Sequence, residues 1–177
     1  MAEYQEPHKE HINKYKSAHI IGVAEYMRER AADYGLDGDM MYTVGLLHDI
    51  GYLCGRIGHE AYGSRILSGI GIDEDIAFAI ENHGKKARDV EAKYGKEAIH
   101  DEFILLLEAD SSVNARGFRV GFEGRLDDIE KRYGKDHPAY ETVKDNIDYI
   151  KEYQQERGIG KPYDLYHKRH SQRQERE

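Results

Sequence analysis

The 177-residue sequence has little cysteine and little proline, with 1 Cys and 3 Pro. The one cysteine, Cys54, cannot form an internal disulfide, which fits a reducing compartment. We expect it to be a small buried residue rather than a metal ligand or a nucleophile. Proline, which breaks helices, occurs only at Pro7, Pro138 and Pro162, so residues 8–137 are free to form long helices.

Long apolar runs and an excess of positive charge are also missing. The longest apolar run, FILLL at Phe103–Leu107, is far shorter than the roughly 20 residues of a membrane span. The first residues, MAEYQEPHKEH, are too polar for a secretory signal. The 26 Lys and Arg against 34 Asp and Glu give a net charge of −8, whereas duplex-DNA binders have a basic face. We therefore predict a cytoplasmic protein without membrane or duplex-DNA partners.

Apolar residues recur at helical spacing along most of the chain, and no stretch alternates as a strand would. The sequence therefore predicts an all-α fold, with Asp37 or Asp39 capping the second helix and Asp73 the fourth. The predicted helices cover about residues 11–34, 41–48, 59–68 and 74–83, a long fifth helix holding Phe103 through Val113, and 124–133 and 138–157. We expect one domain over residues 1–157 and a flexible charged tail over 158–177.

Several ionisable side chains share the predicted apolar helix faces. For example, His48 follows Val44 by four residues and Asp110 follows Leu106 by four, spacings that place residues on one face. A buried carboxylate costs several kcal/mol unless it is paired or binds a metal. One such histidine alone would more often be a hydrogen-bonded core residue, but the group together favours a divalent transition metal. The group comprises His19, His48, His59, His83 and Asp110, with His100 as a further candidate.

The sequence resembles the HD-domain metal-dependent phosphohydrolase superfamily, which is named for its His-Asp doublet. The resemblance rests on His19, the motif LLHDIG with His48 and Asp49, and Asp110 in LLLEAD, and it covers about residues 12–114. It implies an HD-domain bundle of five core helices, followed here by additional C-terminal helices. It also implies that these four residues bind one metal ion.

Two more histidines fit the dinuclear branches of this superfamily, which include bacterial hydrolases of diadenosine tetraphosphate. They are His59 in GHEAYGSRIL and His83 in AIENHGKK. The resemblance thus implies one or two divalent ions of Fe, Mn, Zn, Co or Ni, with Asp49 bridging the ions where there are two. Alternatively, His59 and His83 line the pocket and contact phosphate. At the position three residues after the His-Asp doublet, several mononuclear nucleotidases carry an acidic residue and the HD-GYP phosphodiesterases carry a lysine. This sequence has Tyr52 at that position.

The resemblance implies hydrolysis of a phosphoester or phosphoanhydride in a nucleotide or similar small phosphorylated substrate, by metal-activated hydroxide. Asp49 would hold the metal ions, and Tyr52 would donate a proton or simply pack. The candidates for holding phosphate are Lys85 and Lys86, followed by Arg56, Arg116 and Arg119.

Two other functions fit the same ligands. Some dinuclear-iron members of the superfamily are oxygenases, and an HD domain without catalysis could sense nucleotides or bind a partner. The amphipathic segment 138–157 makes a homodimer plausible.

Overall fold

The structure, a computed structural model, describes the backbone of residues 9–54 and 58–160 and the side chains from Lys16 onward. These residues form eight α-helices and, apart from one isolated bridge between Val113 and Arg119, no β-structure. The predicted all-α fold is confirmed. The helices are α1 (Lys9–Arg30), α2 (Gly38–Leu47), α3 (His59–Gly69), α4 (Glu74–Asn82), α5 (Ala87–Tyr94), α6 (Asp101–Asp110), α7 (Gly121–Tyr133) and α8 (Pro138–Arg157), with 3₁₀ turns at Ala31–Tyr34, Ile50–Leu53 and Lys96–Ala98.

Most helix ends lie where local chemistry predicts them. The side chain of Asp37 caps α2 by accepting a hydrogen bond from the Met40 N–H at 2.7 Å. Asp73 caps α4 in the same way through the Asp75 N–H at 2.9 Å. Each cap satisfies an N–H group that has no partner within its helix. At the other end of α1, the chain passes through a 3₁₀ turn and stops at Gly35, whose φ of 71° suits glycine.

The prediction of one long fifth helix is wrong. Residues 87–110 form two helices, α5 and α6, which are joined by the 3₁₀ turn Lys96–Ala98. Gly95 ends α5 with φ 91° and ψ 161°, and Ile99 is extended, so the chain changes direction before α6 begins. Val113 lies beyond the end of α6.

Helix α6 forms the centre of the bundle. All of its residues from Phe103 to Ala109 are buried, and it packs against α1, α4 and α8. The FILLL run is therefore covered on all sides rather than along one face. Full burial of each large side chain contributes about 1.5–3 kcal/mol. The bundle is thus organised around a helix whose last residue is Asp110.

A carboxylate, Glu108, is fully buried in this central helix. Its Oε1 accepts hydrogen bonds from the Tyr26 hydroxyl at 2.7 Å and from Arg30 Nε at 3.0 Å. Its Oε2 accepts from Gln154 Nε2 at 2.8 Å and from the Tyr34 hydroxyl. Burial and the charge of Glu108 raise the pKa of both tyrosines, so their hydroxyls stay protonated donors. The network joins α1, the following 3₁₀ turn, α6 and α8.

Helix α8 has the predicted bounds and packs against α5, α6 and α7. Four of its apolar residues, Ile147, Tyr149, Ile150 and Tyr153, are buried within the chain. The homodimer stays a prediction, but the reason given for it is removed, because the buried apolar residues of α8 already pack against helices of the same chain. The predicted tail lies almost wholly in residues 161–177, outside the described part of the chain.

Cys54 is exposed, contrary to our expectation, because the 3₁₀ turn Ile50–Leu53 ends at the surface, where Leu53 is 84% exposed.

Among the described residues, no helix combines the length and the apolar character that crossing a membrane requires.

We predict that Glu108→Ala destabilises the protein by about 3–5 kcal/mol, because it removes the buried counter-charge of Arg30, which then keeps only the half-exposed Asp33 as an ionic partner. Urea denaturation followed by circular dichroism measures the loss. The control is Glu156→Ala, which removes an exposed partner of Lys96 and should leave the unfolding midpoint nearly unchanged. Equal shifts in the two variants would contradict the assignment of Glu108 as the central polar group.

Candidate metal centre

Helix ends carry five of the six predicted metal-binding side chains, and the sixth, His19, lies within α1. His48 is the C-cap residue of α2 and His83 that of α4, while His59 begins α3 and Asp110 ends α6. Asp49 follows α2 directly, where the chain leaves the helix and can turn its carboxylate toward its neighbours. The structure thus places near one another all the predicted ligands: His19, His48, Asp49, His59, His83 and Asp110.

Asp49 lies at the centre of this group. Its Oδ1 is 3.3 Å from His59 Nε2 and 3.7 Å from His83 Nε2, and its Oδ2 is 3.6 Å from His48 Nε2. A second carboxylate, that of Asp110, has its Oδ1 2.9 Å from Nε2 of His19. Two ligands about 2.1 Å from one ion lie about 3.0–3.5 Å apart. The measured separations are therefore close to those that a shared ion requires.

The ligand atoms form two overlapping groups of three, each with its atoms within 4.8 Å of one another. One group contains His19, His48 and Asp110, and the other contains His48, Asp49 and His83. His59 adjoins the second group through Asp49. This arrangement offers donors for two neighbouring ions, with His48 common to both groups and Asp49 in the second.

The orientation of each imidazole is fixed from its far side. Nδ1 donates a hydrogen bond to a backbone carbonyl in three of the histidines: from His19 to Asn114 at 3.1 Å, from His48 to Gly45 at 2.7 Å and from His83 to Ile80 at 2.7 Å. Nδ1 of His59 lies 3.2 Å from Glu60 Oε2. Such partners hold a metal-binding histidine in one tautomer. In a neutral ring the lone pair is then on Nε2, the atom that faces the other ligands.

This geometry requires positive charge between the rings and the carboxylates. A neutral imidazole that donates through Nδ1 points an Nε2 lone pair at a carboxylate oxygen, and the two repel each other unless a proton or a metal ion lies between them. The four imidazole rings follow one another in space in the order His19, His48, His83, His59, with 5.4–5.7 Å between the centroids of successive rings. At these distances positive charges repel strongly, so the four rings cannot all be protonated at low cost. The residues therefore fit divalent metal ions.

The pKa shifts reflect the same electrostatics. Burial would raise the pKa of Asp49, but His48, His59 and His83 together hold it well below its usual range. Burial lowers the pKa of His48, and although the Asp49 carboxylate raises it, the neighbouring His83 and His19 also lower it, so that it stays below its ordinary value. Burial also lowers the pKa of His83, yet the Asp49 carboxylate outweighs it and raises that pKa to about 9. The carboxylates are thus ionised and available as ligands.

Gly51, the glycine of LLHDIG, allows the His-Asp turn to approach α3. A Cβ atom at this position would overlap the carbonyl oxygen of His59 and lie 2.6 Å from the Gly63 nitrogen. Any larger residue would push the turn that carries Asp49 away from the first residue of α3. The distance between Asp49 and His59 therefore depends on the absence of a side chain at Gly51.

The ligands open into a cavity of about 1180 Å³. Tyr52 lines it and stacks on His59, with ring centroids 3.8 Å apart and an interplanar angle of 23°. The ammonium of Lys16 lies over the ring of Tyr52. A packing role for Tyr52 is therefore visible, while its proton donation stays a prediction.

The cationic residues proposed from the sequence have different placements. Lys85 and Lys86 do not line the cavity, and Lys85 Nζ donates to Asn82 Oδ1 at 2.8 Å. Their role as phosphate ligands stays a prediction that this placement does not favour. Arg116 lines the cavity, whereas Arg119 pairs with Glu29 at 2.5 Å. Arg56 lies outside the described residues.

Other lining residues were not anticipated. Arg125 and Arg132 of α7 and Glu60 of α3 all reach the cavity, and Arg125 lies near Asp110, although the two are distant in sequence. In the sequence, the only local sign that Arg125 reaches the site is that it is a polar residue on an otherwise apolar face of α7. His100 lies elsewhere: it precedes α6 in an extended conformation, and its Nε2 is 3.2 Å from Asp75 Oδ1.

We predict two divalent ions per chain by elemental analysis of protein purified without chelator. His83→Ala should reduce the content by about one ion, because it removes a donor whose ring is already oriented by Ile80. His100→Ala is the control and should retain the full content. Unchanged stoichiometry in the His83 variant would contradict a second ion at this position.

We also predict that Gly51→Ala lowers both metal content and melting temperature, because the added Cβ forces Asp49 away from His59. The matched control is Gly69→Ala near the end of α3, where a Cβ meets no atom within 4 Å. That variant should be as stable as the parent or slightly more so. Normal metal content in the Gly51 variant would show that the close approach is not needed.

The comparisons with known proteins agree with this geometry. The family model for the HD domain matches residues 17–115, a segment that contains all six predicted ligands. No curated protein and no solved structure matches the chain. The HD domain implies the binding of divalent metal. Since the match covers more than half of the sequence and the ligands converge as described, the chain belongs to the HD-domain family.

Proposed function

We propose that the protein is a metal-dependent phosphohydrolase that cleaves a phosphoester or phosphoanhydride in a nucleotide or similar small phosphorylated substrate. The HD-domain family consists mostly of metal-dependent phosphohydrolases, which is the starting point. The observation that carries the proposal is the opening of the ligand cluster into a cavity that arginines also line.

The charges around the cavity favour an anionic substrate. Beyond the ligands, the lining includes the cations Lys16, Arg116, Arg125 and Arg132 and the carboxylates of Glu60 and Asp128. Two divalent ions would outweigh the charges of Asp49 and Asp110. The local field therefore attracts phosphate even though the whole chain has a net charge of −8, because nearby charges dominate a site.

Aromatic side chains at the cavity support a nucleotide. Phe118 and Tyr133 line it and are 64% and 53% exposed, respectively. Exposed aromatic faces can stack on a base. Tyr133 already stacks on His137 with centroids 4.9 Å apart, so Phe118 offers the more accessible ring.

The chain's own residues would hold and orient the reacting groups. Divalent ions held by the predicted ligands would make hydroxide available near neutral pH and would stabilise negative charge on a phosphoryl group. Asp49 and the four histidines would fix where that chemistry occurs. The groups bonded to the histidine Nδ1 atoms prevent the four rings from turning. Tyr52, packed on His59, covers one side of the site. Positioned groups of this kind lower the barrier because little reorganisation is needed during the reaction.

We predict that Asp49→Asn abolishes phosphate release, with a loss of at least about a thousandfold, because the variant removes a carboxylate that lies within 3.7 Å of three of the predicted histidine ligands. The assay measures phosphate or nucleotide products from nucleoside mono-, di- and triphosphates, dinucleoside polyphosphates and sugar phosphates, with each candidate metal supplied. Asp148→Asn on α8, an exposed carboxylate, is the control and should retain activity.

Two results would refute the proposal. Phosphate release that persists in the Asp49 variant would show that the activity comes from another site or a contaminant. Iron-loaded protein that consumes dioxygen and releases no phosphate from any substrate would assign the same ligands to an oxygenase.

A further inference from the structure

Arg125 is a nearly buried cation beside the metal ligands. Its side chain, on α7, is 12% exposed, lines the cavity and places Nη2 3.7 Å from Oδ1 of Asp110. Burial raises the pKa of Asp110, but the hydrogen bond with His19 and then the charge of Arg125 lower it, and together they hold it below its ordinary value. The guanidinium is therefore next to a carboxylate that would hold a metal ion.

The donors of Arg125 are largely unused. A guanidinium has five N–H donors, yet the hydrogen bond seen here is a long one, 3.4 Å from Nη1 to Asp128 Oδ2. Within the described part of the chain, its Nε is buried and has no hydrogen-bond partner. Asp128 is held more closely by Arg132, at 2.6 Å. Burying a charged group with unsatisfied donors is costly, so an anion at this position would stabilise the arrangement.

We propose that Arg125 binds a phosphoryl oxygen of the substrate group that reacts at the metal centre. The proposal rests on the proposed function, because it assumes a phosphorylated substrate there. An oxygen bound next to Asp110 lies within reach of a guanidinium that is already 3.7 Å from that carboxylate. Arginine pairs with phosphate through two parallel N–H groups, and Nε and Nη2 are the two donors that Asp128 does not use.

A purely structural role makes a different prediction. If Arg125 only oriented Asp110, its loss would weaken metal binding, and anion binding would fall only as a consequence. If Arg125 binds phosphate itself, its loss weakens anion binding at full metal occupancy. The two roles are separated by measuring both quantities on the same protein.

The test is calorimetric titration of inorganic phosphate into metal-loaded protein, with metal content measured on each sample. We expect Arg125→Ala to raise the dissociation constant for phosphate at least about tenfold, because a hydrogen bond between charged groups is lost. Arg125→Lys should restore part of the affinity, since it keeps the charge without the paired donors. The matched control is Arg119→Ala, which removes an arginine of similar exposure, 18%, that pairs with Glu29 outside the cavity.

Each outcome decides the proposal. Wild-type affinity for phosphate in Arg125→Ala overturns it, and so does a defect that disappears once metal is saturating. Absence of phosphate binding to the metal-loaded wild type also overturns it. Melting temperatures near that of the wild type show that the variants fold.

The proposed function can fail separately. If phosphate binding depends on Arg125 but no phosphorylated compound is hydrolysed, the anion site stands and the hydrolase does not. If hydrolysis depends on Asp49 but Arg125→Ala changes neither KM nor phosphate affinity, the hydrolase stands and the role of Arg125 does not.

Discussion

The site depends on the repulsion between histidine lone pairs and carboxylates held only 2.9–3.7 Å apart. The backbone carbonyls that accept from Nδ1 prevent the rings from turning away, so this repulsion can be removed only by cations. The same requirement explains why five of the six predicted ligands, all except His19 within α1, lie at helix ends. There the chain can direct neighbouring residues such as His48 and Asp49 toward one point, which the interior of a helix, with about 100° between successive residues, does not allow.

Helix α6 connects this site to the stability of the whole bundle. Glu108 and Asp110 are two residues apart, so their side chains point to nearly opposite sides of the helix. Glu108 is fixed by hydrogen bonds from α1 and α8, while Asp110 faces the ligands. Rotation of α6 about its axis would break the first set of contacts as it displaced the second. The buried network therefore sets the direction of a predicted metal ligand that it does not touch.

The sequence predicted the parts that depend on local pattern. Helical periodicity and the capping chemistry of Asp37 and Asp73 were enough for the fold class and for most helix ends. The prediction of one long fifth helix was wrong, because the helical periodicity on either side does not show that the chain turns between Gly95, with φ 91°, and Ile99. The contact of Arg125 with Asp110 could not be predicted either, since it depends on how α7 packs after a turn of the chain. Arg116 and Arg119, nearer in sequence, do not make it.

The cavity is built from two parts of the chain with different relationships to the family. The predicted ligands all lie within residues 17–115, the matched segment, whereas much of the facing wall, including Arg125 and Thr142, comes from α7 and α8 beyond it. Asn146 fastens this wall to the ligand-bearing part by bonding to the Lys85 carbonyl and the Ala87 N–H. Substitutions in this C-terminal helical hairpin would therefore reshape one wall of the cavity while they leave all the predicted ligands in place.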